Sequence, residues 1–359
     1  MHISPANKTP RSPMAGFSLF ELLTVLVVMA VIFTAVFTLL RSSVQASATT
    51  YETADAQQAL RIAQTALSRD LYSVGDGLIG VSDVRVPLGF ARNYLSRRPD
   101  SELDPDGDNF TRLPLILSEN DLPAGVALLG APSGLARPGT DRLTMLQADA
   151  SFTPLSLAAN AVSASGETVA IAPADIGKFT VGEIYYFTNG TAAAFATVTG
   201  ISAGAVNFSA GDVYGLNQAN SSQGFISFVT AHGTVPVTLR RMRIIHYFVT
   251  DTGLLVRRVF GVVGRGLTDS VIGEHITAFN LRYLLNLTNA NGTLRQPVNE
   301  LLTDQQQNAV RQVESSVTAE TAHPLQNSGQ RAAFTATQQI SVRNLKFRDA
   351  QQPVSGVIE

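Results

Sequence analysis

The sequence predicts an α+β fold, in which one long N-terminal helix packs by its second half on a mostly antiparallel β domain. Three observations predict it. From Phe17 to Leu40 the chain is apolar except for one acid and a few hydroxyl residues. From there to Val74 apolar residues recur every three or four positions, with no proline between 17 and 74. Beyond residue 80 the period changes to short alternating segments bounded by glycine, proline, asparagine and aspartate, the pattern of strands and turns. The 359 residues suffice for one large or two modest cores, and 45% are hydrophobic against 15% charged, an ordinary globular balance. The net charge of −2 gives no general attraction for a polyanion. With no cysteine, disulfides and thiolate metal sites are excluded, and packing and sheet pairing must hold the fold together.

Residues 1–16, MHISPANKTPRSPMAG, carry Lys8 and Arg11, no acid and three prolines, and read as a short basic leader. Residues 17–41 follow as the spanning segment, long enough to cross a bilayer as a helix. The basic leader predicts a cytoplasmic start and export of the remainder. Glu21 breaks the apolar run, and no Lys or Arg lies between Arg11 and Arg41. A carboxylate at bilayer depth costs at least ~2.5–3.5 kcal/mol, so it calls for a partner that the run does not supply. A cleaved secretory signal has a shorter apolar core with a small-residue cut site after it. A plain signal anchor gives Glu21 no purpose.

Residues 42–75 continue the helix with one apolar face: Ala56, Leu60, Ala63, Leu67, Leu71 and Val74, spaced as a helical stripe. Gln57, Arg61, Gln64, Arg69 and Asp70 fall between them. The seam is too short and too alanine-rich for a coiled coil, so it predicts packing within the chain. Gly75 and Gly77 end the helix.

Residues 76–359 read as the β domain. Strands are expected at Arg142–Gln147, Glu167–Ile171, Glu183–Phe187, Phe195–Thr199, Phe225–Thr230, Thr238–Thr250, Leu254–Val263, Ile276–Leu284, Val313–Ala319 and Phe334–Phe347. Asp251-Thr252-Gly253 marks a hairpin between two of them. Residues 150–232 read as a separable inserted β subdomain.

The run Gly16-Phe17-Ser18-Leu19-Phe20-Glu21 resembles the class III signal of type IV pilins and type II secretion pseudopilins. The resemblance implies cleavage by a prepilin peptidase between Gly16 and Phe17, and N-methylation of Phe17. It also implies that Glu21 pairs with the new α-amine of a neighbouring subunit. LSRDLYSVGDG, DRLTML at 141–146, LLVRRV, ITAFNLRYLL and ISVRNLKF are similar to the PilW family of minor pilins, with GspJ-type pseudopilins as near relatives. The family implies an inner-membrane helix with a periplasmic domain and assembly with other major and minor pilins. No nucleophile elbow, P-loop or zincin motif occurs in the sequence, so no catalysis and no cofactor are expected. Major pilins commonly carry a proline midway along the apolar half. Its absence here points away from the main structural subunit.

Other motifs yield weaker chemistry. Gly75-Asp76-Gly77-Leu78-Ile79-Gly80 spells a dinucleotide fingerprint but follows a helix instead of a strand. Asp104, Asp106 and Asp108, with Asn109, offer oxygen ligands for calcium, but the glycine is misplaced for an EF-hand and Leu115 stands where its glutamate belongs. A solvated acidic turn is the preferred reading. His2, His232, His246, His275 and His323 show no ligand spacing. Arg240, Arg241, Arg243, Arg257 and Arg258 lie on the two arms of the hairpin as a candidate nucleic-acid patch. Alternation puts Arg240 on the face opposite Arg241 and Arg243, which makes nucleic acid an unfavoured partner.

Overall fold

The computed structural model describes residues 18–78, 84–130, 134–158, 160–218, 226–231, 236–262, 266–287, 296–303, 306–307, 309–325 and 328–342. Helix α1 spans Leu19–Tyr72, ~80 Å at 1.5 Å per residue. It ends at Ser73, and Gly75 and Gly77 follow at φ +72° and +70°, conformations that favour glycine. A Cβ on Gly75 would lie 2.9 Å from the Leu115 side chain, so the fingerprint-like run is where the helix stops and the chain meets the domain. Ile79 and Gly80 lie outside the described residues.

After the helix come β1 (Arg85–Pro87), α2 (Leu88–Tyr94), α3 (Asp100–Leu103), β2 (Phe110–Arg112), β3 (Ile116–Glu119) and β4 (Arg142–Ala148). Then follow β5 (Leu155–Ser156), β6 (Thr168–Ala170), β7 (Ile184–Thr188), β8 (Ala193–Thr197), β9 (Gly200–Ser202), β10 (Ala205–Asn207) and α4 (Ile226–Ala231). The chain closes with β11 (Thr238–Val249), β12 (Leu255–Phe260), β13 (Leu267–Gly273), β14 (Ile276–Leu285), β15 (Val310–Glu320) and β16 (Ala333–Ser341).

Every strand pair is antiparallel. The main sheet runs β13-β12-β11-β4-β3, and a second sheet is β14-β15-β16. The twelve-residue β11 serves two layers. Met242–Tyr247 pairs with β4 on one edge, and on the other edge Thr238–Met242 pairs with β7 and Ile244–Val249 with β12. The β5–α4 region has an apolar core of its own, in which Phe152, Phe179, Tyr185, Phe187 and Phe208 meet edge-on or tilted. β11 joins that core to the main one.

One expected strand is a helix. Phe225–Thr230 was expected to be extended, whereas Ile226–Ala231 forms α4. Ile226 and Val229, three apart, both bury in the aromatic core, so a helical spacing decides the segment. Asn189 Nδ2 donates to the Val229 carbonyl at 2.7 Å and fixes its end. The last strand ends at Ser341, and the part of Phe334–Phe347 from residue 343 lies outside the described residues. The elements between Arg85 and Glu119, and β13, had no expectation in the sequence.

The second half of α1 packs against β13, β15 and β16. All six stripe residues are buried there, Leu71 and Val74 completely. Burying one such leucine is worth ~1.5–3 kcal/mol. The result is the pilin-like α+β architecture that the sequence predicts: a long N-terminal apolar helix carried on a mostly antiparallel β domain.

Candidate functional site

The first half of α1 has the opposite environment. Every residue from Ser18 to Val44 is exposed, including Phe20 at 75% and Phe37 at 70%. Mean hydropathy reaches 2.8 over the most apolar window, making this helix long and apolar enough to cross a membrane. Its hydroxyls are turned inward onto its own backbone. Thr34 Oγ1 donates to the Ala30 carbonyl at 2.8 Å, Thr38 Oγ1 to the Thr34 carbonyl at 2.7 Å, and Ser42 Oγ to the Leu39 carbonyl at 2.9 Å. Polar groups satisfied this way suit a medium without water.

Gly16 and Phe17 lie outside the described residues. Glu21, expected to pair with a neighbouring subunit's α-amine, is in the first turn of α1, where it has a local role as well. Ser18 caps the helix: its Oγ accepts from the Phe20 N–H at 3.4 Å, and Glu21 Oε2 accepts from the Ser18 N–H at 3.2 Å. This is a capping box, and Ser-x-x-Glu at 18–21 was its overlooked signal. Glu21 Oε1 has no hydrogen bond or ion pair among the described residues, so one oxygen orients the carboxylate and the other is exposed at the helix tip. The positive end of the helix dipole favours a carboxylate at this place.

Where the helix meets the domain, a second acid takes the reverse role. Asp70, which the sequence placed with the polar residues between stripe positions, is 2% exposed. Arg257 donates to it from Nε at 2.5 Å and Nη2 at 3.2 Å, and the Tyr247 hydroxyl donates at 2.7 Å. The Asp70 carbonyl accepts from Gln147 Nε2 at 2.5 Å. Burial, then the adjacent Asp70 charge, pushes the Tyr247 hydroxyl above its ordinary pKa. Ser68 Oγ donates to Gln338 Oε1 on β16 at 3.0 Å. Both arms of the β11–β12 hairpin and the second sheet therefore grip the last turns of α1. Nothing local to the helix signals this, because the partners lie 177 and 187 residues away.

Contacts of this kind among the described residues engage four of the five arginines of the expected patch, all but Arg240. Arg257 belongs to Asp70. Arg258 forms a two-pronged pair with Asp269 at 2.7 Å. Arg241 bridges Asp149 and Glu183, each at 2.8 Å, and Arg243 donates to Gln147 Oε1 at 3.1 Å. Arg142 is fully buried against Glu119. These guanidinium groups tie elements of the domain together.

Two of the three acids of the acidic turn are likewise occupied. Asp104 accepts from the Asp108 N–H at 3.1 Å and the Asn109 N–H at 2.8 Å. Asp108 pairs with Arg85, whose hydrogen bond holds its carboxyl below the usual range. Asp106 points to solvent. Among the described residues no cluster of three or more His, Asp or Glu is placed to hold a metal ion. His246 is buried between the sheet arginines. His323 reaches across to the helix, donating its N–H to Glu52 Oε2 at 3.2 Å, with Nδ1 2.9 Å from Oε1. His2 and His232 lie outside the described residues.

No protein-family model, curated protein or solved structure matches this chain.

Proposed function

We propose that this chain is a minor pilin of a type IV pilus, similar to the PilW family, and acts as a structural subunit that primes or assembles the filament. The observation that supports this reading is the division of α1. Its first half is apolar on all sides and exposed throughout among the described residues, while its second half is locked into the domain. Such a surface needs a lipid or protein environment, first the inner membrane and then a bundle of similar helices.

In this reading the leader holds the precursor with its domain in the periplasm. Prepilin peptidase cuts between Gly16 and Phe17, and Phe17 is N-methylated. The cut creates a cation immediately before the capped turn. Glu21 Oε1 of an incoming subunit takes the α-amine of a neighbour. A buried pair of this kind sets register more than it adds stability, and losing one partner strands the other charge. A GspJ-like pseudopilin would use the same chemistry. The pairing of Arg241, Arg257 and Arg258 with acids of the domain supports assembly over nucleic-acid capture.

Mass spectrometry of the mature N-terminus tests the reading. We expect a chain starting at methylated Phe17, and an intact Met1 would falsify it. Glu21→Ala should insert into the membrane normally yet fall at least tenfold in sheared filaments. Normal incorporation would remove the pairing role.

A further inference from the structure

A sheet edge with free backbone groups invites another strand, and folds usually blunt such edges. The molecule manages its edges unequally. β3 is only four residues long and wholly buried. β14 is closed on its outer side by a bridge in which Tyr283 and Val298 exchange both backbone bonds, at 2.7 and 3.0 Å. β13 carries Asp269 and faces a register shift at Leu255/Val256. α4 packs against β8.

β16 has none of these devices. Its nine residues, Ala333–Ser341, include no charge, no proline and no glycine, and its ladder with β15 runs without a register shift. The bonds flanking the ladder set its phase: Thr321 N–H donates to the Ala332 carbonyl, and Val342 N–H to the Arg311 carbonyl, both at 2.9 Å. Even-numbered residues of β16 therefore bond to β15, and Ala333, Thr335, Thr337, Gln339 and Ser341 aim their N–H and C=O outward. The short Thr335–Thr318 hydroxyl contact of 2.8 Å across the ladder fits that phase. Among the described residues the outward groups have no backbone partner.

We propose that the outer edge of β16 receives an extended, uncharged strand from an adjoining filament subunit, which continues the β14-β15-β16 sheet. The proposal rests on the filament reading and names a lateral contact for it. Composition sets the partner's chemistry: with no charge along the edge, a charged strand would find no counter-ion, while an alternating Thr/Ser/Val strand would pair by backbone bonds and flat side chains. Geometry sets its source. Two copies pairing β16 to β16 about an axis normal to the sheet would reverse any direction in the sheet plane. Because α1 lies on this sheet, two such copies would send their apolar helices opposite ways. A strand from a subunit oriented like its neighbour avoids that conflict.

Amide hydrogen exchange on the full chain, free in detergent and then in sheared filaments, tests this. Thr335, Thr337 and Gln339 should exchange rapidly when free and at least a hundredfold more slowly in the filament. Thr337→Pro should keep the fold and melting temperature, since that N–H faces outward, yet lower filament incorporation at least tenfold. Ala336→Pro, which removes an inward bond, should unfold the sheet. A chain present in filaments whose outward amides stay unprotected overturns the edge contact and leaves the filament reading intact. A chain absent from filaments overturns both. Two other results also overturn the neighbouring-subunit strand: protection in the free chain that vanishes on deleting residues 343–359, and a detergent-solubilised dimer abolished by Thr337→Pro. The first puts the chain's own C-terminus on the edge, and the second puts another copy there.

Discussion

The two halves of α1 share one backbone and one continuous hydrogen-bond ladder but draw their stability from different sources. Between Ala56 and Leu71 one apolar stripe is buried, with Ser68 and Asp70 beside it. Between Leu19 and Val44 apolar side chains point in every direction and none is buried. A helix stabilised by its own domain needs one apolar face, whereas a helix whose surroundings come from outside the chain needs apolar residues all round. The acids follow the same division. Glu21 caps the free end and presents an open oxygen, while Asp70 has its charge enclosed by Arg257 and Tyr247.

Breaking the inner acid should have the largest effect. Asp70→Ala strands the Arg257 charge and the Tyr247 hydroxyl under the helix. We expect a loss of ~3–5 kcal/mol, the cost of removing one member of a buried pair, read as a lower urea midpoint for the full chain in detergent. Leu67→Ala is next, at about 3 kcal/mol for a core leucine. Its matched control, Val31→Ala, should leave the same midpoint unchanged, because Val31 is 65% exposed. Equal losses in the two variants would mean that the halves are not distinct.

The division itself was legible in the sequence, because the apolar run and the stripe are local periodicities and each stripe residue took its place in the core. Most strands were legible for the same reason. What was hidden depends on distant residues. Asp70 reads as a surface acid until Tyr247 and Arg257 are brought to it. Arg241, Arg257 and Arg258 read as part of a basic patch until Asp70 of α1, Asp149 beside β4, Glu183 beside β7 and Asp269 on β13 are brought to them. Phe225–Thr230 is too short for its period to separate helix from strand, and the aromatic core beneath it decided. Ser18 differs, since its capping signal, Ser-x-x-Glu at 18–21, is wholly local.

Acid should act on the domain and leave the free half of the helix alone. His246 is fully buried, and among the described residues neither ring nitrogen makes a hydrogen bond of ordinary geometry. Burial, and then Arg142 and Arg258, hold its pKa well below 6.5. The unfolded chain therefore binds a proton that the folded chain refuses, and stability falls as pH drops below about 6.5, by at most about 1.4 kcal/mol per unit. Asp141 has the opposite sign. Burial raises its pKa to about 6, against the pull of the Asp121 and Leu281 N–H groups, so its contribution is full below about 4 and is lost as pH rises through about 6. The two oppose each other between about pH 4 and 6. His246→Leu removes one side of this balance, and its stability relative to wild type should improve steadily as pH falls from 6.5. A parallel pH dependence in the two proteins would remove His246 as the cause.

The smallest effect is expected where the halves join. Glu52 stands just before the buried stripe and binds His323 in the loop between β15 and β16. The side-chain hydrogen bond from His323 holds its carboxyl below the ordinary range. The sign follows that of a depressed acid: the contact is present above the ordinary carboxylate pKa and is lost as pH falls through the lowered one. The His323 side chain is 80% exposed, and water competes for such a pair. Glu52→Gln should therefore leave the unfolding midpoint within error of wild type while the His323 amide exchanges faster. A drop in the midpoint comparable to that of Leu67→Ala would move the boundary between the two halves of the helix from Ala56 up to Glu52, making this loop part of the clamp.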